Sequence, residues 1–210
     1  MPGPRRQTEV PLPREFLARF ALVVLLTASA SAAFAAKPAG GKAPAEPAPL
    51  TLLYGDDHVF GIVPPQGWTV DDSSGLGSRI RVVLYPRGQK WDSAPTVMYV
   101  NPLHQDRATR RTLAQMIEHD VKAFLQKAPK GKVSAQKPLR TAKAQVAEVR
   151  YFAPTGGEPL EAVAYVAEED VVILLVLSSR EGAGFRKSLP AFESLVASYQ
   201  FVAGGIETPR

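Results

Sequence analysis

The sequence predicts an α/β (α+β) domain, an α/β/α sandwich in which a mostly antiparallel central sheet is flanked by two main helices. Three observations lead there. Short apolar segments separated by strong turn signals come first, as strands do. The apolar period then switches to helical spacing at residues 113–125, and again at 189–199. Between the two helices lies Val171–Ser178, an apolar run without polar alternation, which needs cover on both faces.

The strand candidates of the first half are Leu52–Tyr54, His58–Val63, Trp68–Val70, Arg79–Tyr85 and Thr96–Val100. Pro64-Pro65-Gln66-Gly67, Asp71-Asp72-Ser73-Ser74-Gly75 and Pro86-Arg87-Gly88 separate them, each rich in residues that turns select. Leu113, Met116, Ile117, Val121, Phe124 and Leu125 then fall on one side of a helix. Thr112 and Gln115 supply a capping box, with Thr109 as an alternative start, and Pro129 and Gly131 end the helix. Strands resume at Val133–Pro138, Ala144–Phe152, Leu160–Ala167 and Val171–Ser178. Only Glu168-Glu169-Asp170 separates the last two, so they are expected to be antiparallel neighbours in a hairpin. The closing helix carries Leu189, Phe192, Leu195, Val196 and Tyr199, with Ser188 as cap and Pro190 in the first turn, where it is tolerated.

Residues 1–36 are expected to be a signal peptide. Arg5, Arg6, Arg14 and Arg19 precede the apolar run Phe20–Leu26, and small residues follow, with Ala33-Phe34-Ala35 as the cleavage motif. Cleavage near Ala35 or Ala36 makes the protein exported, periplasmic or secreted. An uncleaved Phe20–Ala36 helix is the alternative, since about 17 residues is the minimum that spans a bilayer. Residues 37–49 form a Pro/Ala-rich linker, 50–202 a single globular domain, and 203–210 a flexible tail.

Composition removes several classes of function. There are no cysteines, which excludes disulfides, thiol nucleophiles, Cys-ligated zinc and a lipoprotein anchor. The formal charge of +5 falls to +3 without residues 1–36, leaving 21 basic and 18 acidic residues. That is too mild for a nucleic-acid partner. The charge is uneven, however: Lys122, Lys127, Lys130, Lys132, Lys137, Arg140, Lys143 and Arg150 face a single acid, Glu148, between residues 121 and 150. Such a run is a solvated surface or a patch for an anionic partner or a membrane.

Val59-Phe60-Gly61-Ile62-Val63-Pro64-Pro65-Gln66-Gly67-Trp68 is similar to the opening of PsbP-like and DcrB-like proteins, where an early strand runs into Pro-x-Gly-Trp. The closing Phe185-x-x-Ser188-Leu189-Pro190-x-Phe192-x-x-Leu195-Val196-x-Ser198-Tyr199-x-Phe201 resembles the same superfamily. The resemblance covers residues 50–202. It implies an α/β/α sandwich on an antiparallel sheet, in a group of photosystem extrinsic subunits, a Ran-binding protein and bacterial envelope proteins. It implies no single activity and no shared catalytic set; no cofactor is expected from the residues.

Chemistry-bearing residues are sparse. Asp56, Asp57 and His58 offer metal ligands that His119 and Asp120 would have to join in space, but no His pair has the i, i+4 spacing that preorganises zinc. The small-residue run Asp72–Ser78 lacks the Gly-x-Ser-x-Gly frame of a nucleophile elbow. Trp68 reads as a plug at the core edge. Trp91, in the polar loop with Arg87 and Lys90, is either a partner contact or a ring folded over the sheet edge. The expectation is a non-catalytic binding or assembly module of the periplasm or envelope, with an unknown envelope protein or an anionic partner. The alternatives are a small hydrolase or metal-dependent enzyme using Asp56, Asp57, His58 or His119, and an anchored envelope-surface protein.

Overall fold

The structure, a computed structural model, describes residues 49–54, 58–78, 80, 82–105, 110–169 and 171–204. Their order is β1 (Thr51–Tyr54), β2 (His58–Ile62), β3 (Trp68–Asp71), β4 (Val82–Pro86), β5 (Thr96–His104), α1 (Leu113–Lys127), β6 (Lys132–Ala135), β7 (Leu139–Arg140), β8 (Val146–Ala153), β9 (Glu161–Ala167), β10 (Val171–Ser179), α2 (Gly182–Ser198) and β11 (Gln200–Gly204). The signal peptide, nearly all of the linker, Asp56, Asp57 and Thr109 lie outside the described residues. Among the described residues no helix is long and apolar enough to cross a membrane.

Eight strands form one antiparallel sheet in the order β3-β4-β5-β10-β9-β8-β6, with β7 also paired to β8. The unbroken apolar run occupies its interior: Leu174 of β10 is paired with Asn101 of β5 on one side and Tyr165 of β9 on the other. Every residue from Val171 to Leu177 is buried. Each such side chain contributes about 1.5–3 kcal/mol relative to exposure. Alternation then divides the layers. Ile173, Leu175 and Leu177 join Met98, Val100 and Ala164 in a cluster with Phe185, Phe192, Leu195 and Val196 of α2. On the opposite face Tyr165 bonds to Asp120 of α1, and Phe152 meets Phe124 edge to face at 5.1 Å. The sheet therefore has one helix on each face, as the sequence predicts.

A second sheet, β1-β2-β11, packs through Phe60 and Ile62 into the α2 cluster. The sequence reading has the two early strands but not this separate sheet, nor β11, which is paired with β2 from Gln200↔Gly61 to Gly204↔His58. The strand thus runs two residues into the segment read as a tail.

Helix α1 begins where its capping box sets it. The Thr112 hydroxyl accepts from the Gln115 N–H at 3.2 Å, and the Gln115 side chain accepts from the Thr112 N–H at 2.9 Å. Its buried residues are Met116, Ile117, Asp120 and Phe124, while Leu125, read as part of the apolar face, is 37% exposed. Helix α2 departs further from expectation. It starts at Gly182 with Glu181 as N-cap, so Ser188 is not a cap and Pro190 lies in the helix interior. An interior proline costs about 3 kcal/mol. Here burial of Phe185, Phe192, Leu195 and Val196 offsets it.

Candidate functional site

Two surface regions carry the candidate chemistry, both on elements that cover the α1 face of the large sheet. The first is the loop from Pro86 to Ala94. Gly67 and Gly88, both at φ +85°, occupy the third positions of two turns, closed by Trp68 N–H to Pro65 O and Gln89 N–H to Pro86 O, each at 3.0 Å. That conformation favours glycine. The Arg87 N–H donates to Gly67 O at 2.8 Å, locking the turns together. The Ala94 N–H then donates to Lys90 O at 2.9 Å, winding one helical turn around Trp91. The Trp91 ring is folded down, 9% exposed, and meets Tyr99 edge to face at 6.3 Å. Arg87 and Lys90 stay exposed beside it. Trp68 is half-buried against the α2 cluster.

The second region is an open depression of about 430 Å³ lined by Arg110, Arg111, Gln115, Glu118, His119 and Lys122. Its position follows from the rotation of α1. With about 100° per residue, burying Asp120 and Phe124 turns Gln115, Glu118 and Lys122 to the outer side. Arg110 and Arg111 enter just before the N-cap, where the Arg111 N–H donates to the Gln105 side chain at 2.9 Å. Among the described residues neither Arg111 nor Lys122 is ion-paired. The lining thus holds three permanent cations and an imidazole against one carboxylate. In the sequence Lys122 and His119 belong to separate features, and Arg110 and Arg111 belong to neither. The adjacent arginines just ahead of the capping box were the available signal.

The remaining basic run does not join this depression as a block. Arg140 donates to Ala144 O at 3.0 Å, Lys143 to Phe201 O, and Arg150 pairs with Glu148 at 3.3 Å. His58 and His119 do not come together either. His58 is buried on β2, stacked on Phe60 and 5.2 Å from the His104 ring, whereas His119 lies on α1. Among the described residues no three His, Asp or Glu side chains are grouped to hold a metal ion.

Ser73 and Ser74 direct their hydroxyls and N–H groups to the Asp71 carboxylate at 2.5–2.9 Å, and the Tyr85 hydroxyl adds a bond at 2.9 Å. The Ser74 hydroxyl bond is the chief cause holding the Asp71 carboxyl well below the usual carboxylate range. Both serine hydroxyls therefore serve the turn.

No family model matches the chain, and no curated protein matches it. Among solved structures it is similar to the solution structure of cyanobacterial PsbP (CyanoP) from Synechocystis sp. PCC 6803. The identity is 14% and the TM-score 0.48, and the match covers 78% of this chain and 98% of that one.

Proposed function

We propose that the protein is exported, loses residues 1–36 near Ala35 or Ala36, and acts in the cell envelope as a non-catalytic module that binds an anionic partner. The observation that carries this reading is the depression on α1, where Arg110, Arg111, His119 and Lys122 meet one carboxylate, Glu118. Clustered charge of one sign raises the local concentration of an oppositely charged partner and steers its approach. Arg87 and Lys90, exposed beside buried Trp91, supply a second contact on the same layer of the molecule. The DcrB-like and PsbP-like sequence motifs agree with an accessory role but assign no partner.

Crosslinking in envelope extract tests this, comparing wild type with Arg111→Gln/Lys122→Gln and with Arg87→Ala/Lys90→Ala. The expected result is one acidic partner whose yield falls in the first variant, and less steeply in the second. Equal yields from all three proteins would sink the binding role. Intact mass of the protein from the periplasmic fraction checks export separately. A mature start at Ala36 or Lys37 is expected, and a retained Met1 in the membrane fraction would overturn it.

A further inference from the structure

We infer that the outer edge of the large sheet at β6 is a docking site for an extended peptide segment, acidic near both of its ends, that joins the sheet as a further strand. This goes beyond the anionic-partner reading, because it names a second surface and does not depend on the depression on α1.

The register decides which backbone groups are open. β6 is the last strand of the large sheet and is paired with β8 alone, from Lys132↔Ala153 to Ala135↔Arg150. In the same register the Gln136 N–H donates to Val149 O at 3.0 Å. Bonding alternates along an antiparallel pair, so Lys132, Ser134 and Gln136 turn their backbone groups to β8. Val133 and Ala135 turn theirs outward, which leaves two N–H groups and two carbonyls for a strand beside them. The opposite edge of the sheet differs. There the Arg87 N–H donates to Gly67 O, which turns Trp68 and Val70 outward, and the Trp68 N–H is already spent on Pro65 O.

Side chains set the character of the added strand. From Pro129 to Pro138 the chain carries Lys130, Lys132 and Lys137 and no acid. All three lysines are exposed, and among the described residues none of them is ion-paired. Of the carboxylates around β8, Glu148 is paired with Arg150 at 3.3 Å, and Glu193 of α2 is within electrostatic reach of Tyr151, opposite Ser134. The lysines stand at the two ends of the edge. Ser134 and Ala135 between them are small and exposed, which leaves room for larger cross-strand neighbours. Lysines on an edge repel a second copy of the same edge. They also attract a strand that carries acids, so this edge is selective and not closed.

Fluorescence anisotropy of the full chain with a labelled, end-capped peptide, glutamates at each end and threonine and valine between, is the test. This peptide should bind. The same peptide with lysines for glutamates, or with every backbone nitrogen methylated, should not. Ala135→Pro removes an outward N–H that β8 does not use, a change that edge strands tolerate. Its urea midpoint should match wild type while peptide affinity falls by about tenfold, the scale of one or two backbone hydrogen bonds. Lys132→Gln/Lys137→Gln should weaken binding severalfold and flatten its salt dependence. Arg111→Gln/Lys122→Gln should leave it unchanged. Equal affinity for the methylated peptide, or of Ala135→Pro for the acidic one, would overturn strand addition. Equal affinity for the lysine peptide would overturn the acidic assignment, and loss of binding in Arg111→Gln/Lys122→Gln would move the peptide to α1. Absence of binding would overturn the β6 site and leave the anionic-partner reading to its own crosslinking result.

Discussion

The hydroxyl of Tyr165 on β9 donates to the carboxylate of Asp120 on α1, and both residues are buried, at 1% and 2% exposure. This bond sets the rotation of the helix on the sheet. With Asp120 inward, Gln115, Glu118 and Lys122 turn outward, and the basic depression takes its shape. Tyr165→Phe leaves a buried carboxylate with one donor fewer, at an expected cost of about 1–3 kcal/mol in urea denaturation. Asp120→Asn should cost less, because the amide oxygen still accepts from the Tyr165 hydroxyl. A cycle of the two single variants and the double should show a coupling of about 0.5–3 kcal/mol. Strict additivity would mean that the pair does not fasten the helix.

Gly184 in the first turn of α2 lies over another buried pair, the hydroxyls of Thr96 and Ser179, 2.8 Å apart. A Cβ at Gly184 would stand 2.7 Å from Thr96 Oγ1 and 2.8 Å from Ser179 Oγ. Both side chains are short and buried, so neither can swing away, and Gly184→Ala should destabilise by about 1–3 kcal/mol through overpacking. At Gly182 a Cβ would meet the carboxylate of Glu158, a side chain 60% exposed that pairs with Arg186 at the surface and can swing aside at the cost of that exposed ion pair, worth about 0–1 kcal/mol. Gly182→Ala should therefore cost under about 1 kcal/mol, since glycine is itself a poor helix residue. Thermal denaturation of the two variants side by side checks the contrast. An equal loss in both would remove the argument from the Thr96–Ser179 pair.

These glycines also explain what could be read from the sequence alone. The apolar run of β10 and the capping box of α1 are local patterns, and both appear in the fold as they appear in the chain. The start of α2 is not local. Gly182 and Gly184 read as loop residues, and Phe185 buried edge to face against Tyr151, with helix backbone over Thr96 and Ser179, decides otherwise. The small sheet pairs residues 58–61 with 200–204, a separation that no periodicity reports. Strand β5 continues through Pro102, which ordinarily argues against a central strand. Among the described residues β4 pairs no further than Val100, so Pro102 lies where β5 has an open edge. In the candidate site, Lys122 and His119 were visible as residue types. Their union with Arg110 and Arg111 required the inward Asp120, which looks like a misplaced polar residue on an apolar stripe.

The buried Trp91 ring makes a different prediction from an exposed one. Trp91→Ala should lose about 3 kcal/mol of stability, because the ring covers the sheet beside Tyr99. Arg87→Ala and Lys90→Ala should each change stability by less than about 0.5 kcal/mol, as exposed substitutions do. Any effect of those two on partner recovery is then an effect on contact, whereas loss of recovery in Trp91→Ala reports unfolding. Urea midpoints of the three variants decide it. A Trp91→Ala protein as stable as wild type would contradict the packing.

Asp71 and Tyr199 place opposite limits on stability across pH. Hydrogen bonds from Ser74 and Ser73 hold the Asp71 carboxyl below its ordinary value, so the unfolded chain takes up this proton more readily than the folded one. Its contribution is complete above the usual carboxylate pKa of about 4 and is lost as pH falls below it. Asp71→Asn keeps an acceptor but no charge, so its deficit against wild type should shrink steadily as the pH falls from 5 to 2.5. Tyr199 behaves in the reverse sense. Burial first, and then the Glu168 carboxylate that accepts its hydroxyl at 2.9 Å, push the phenol far above its ordinary value. The folded chain keeps this proton while the unfolded chain releases it above about pH 10, so stability falls as pH rises past that point. Tyr199→Phe removes the titrating group and the bond to Glu168 together. It should be less stable than wild type at pH 7, with the deficit narrowing between pH 10 and 11.5. Urea midpoints measured across both limbs give the answer, and a pH-independent deficit in either variant would detach that residue from the titration.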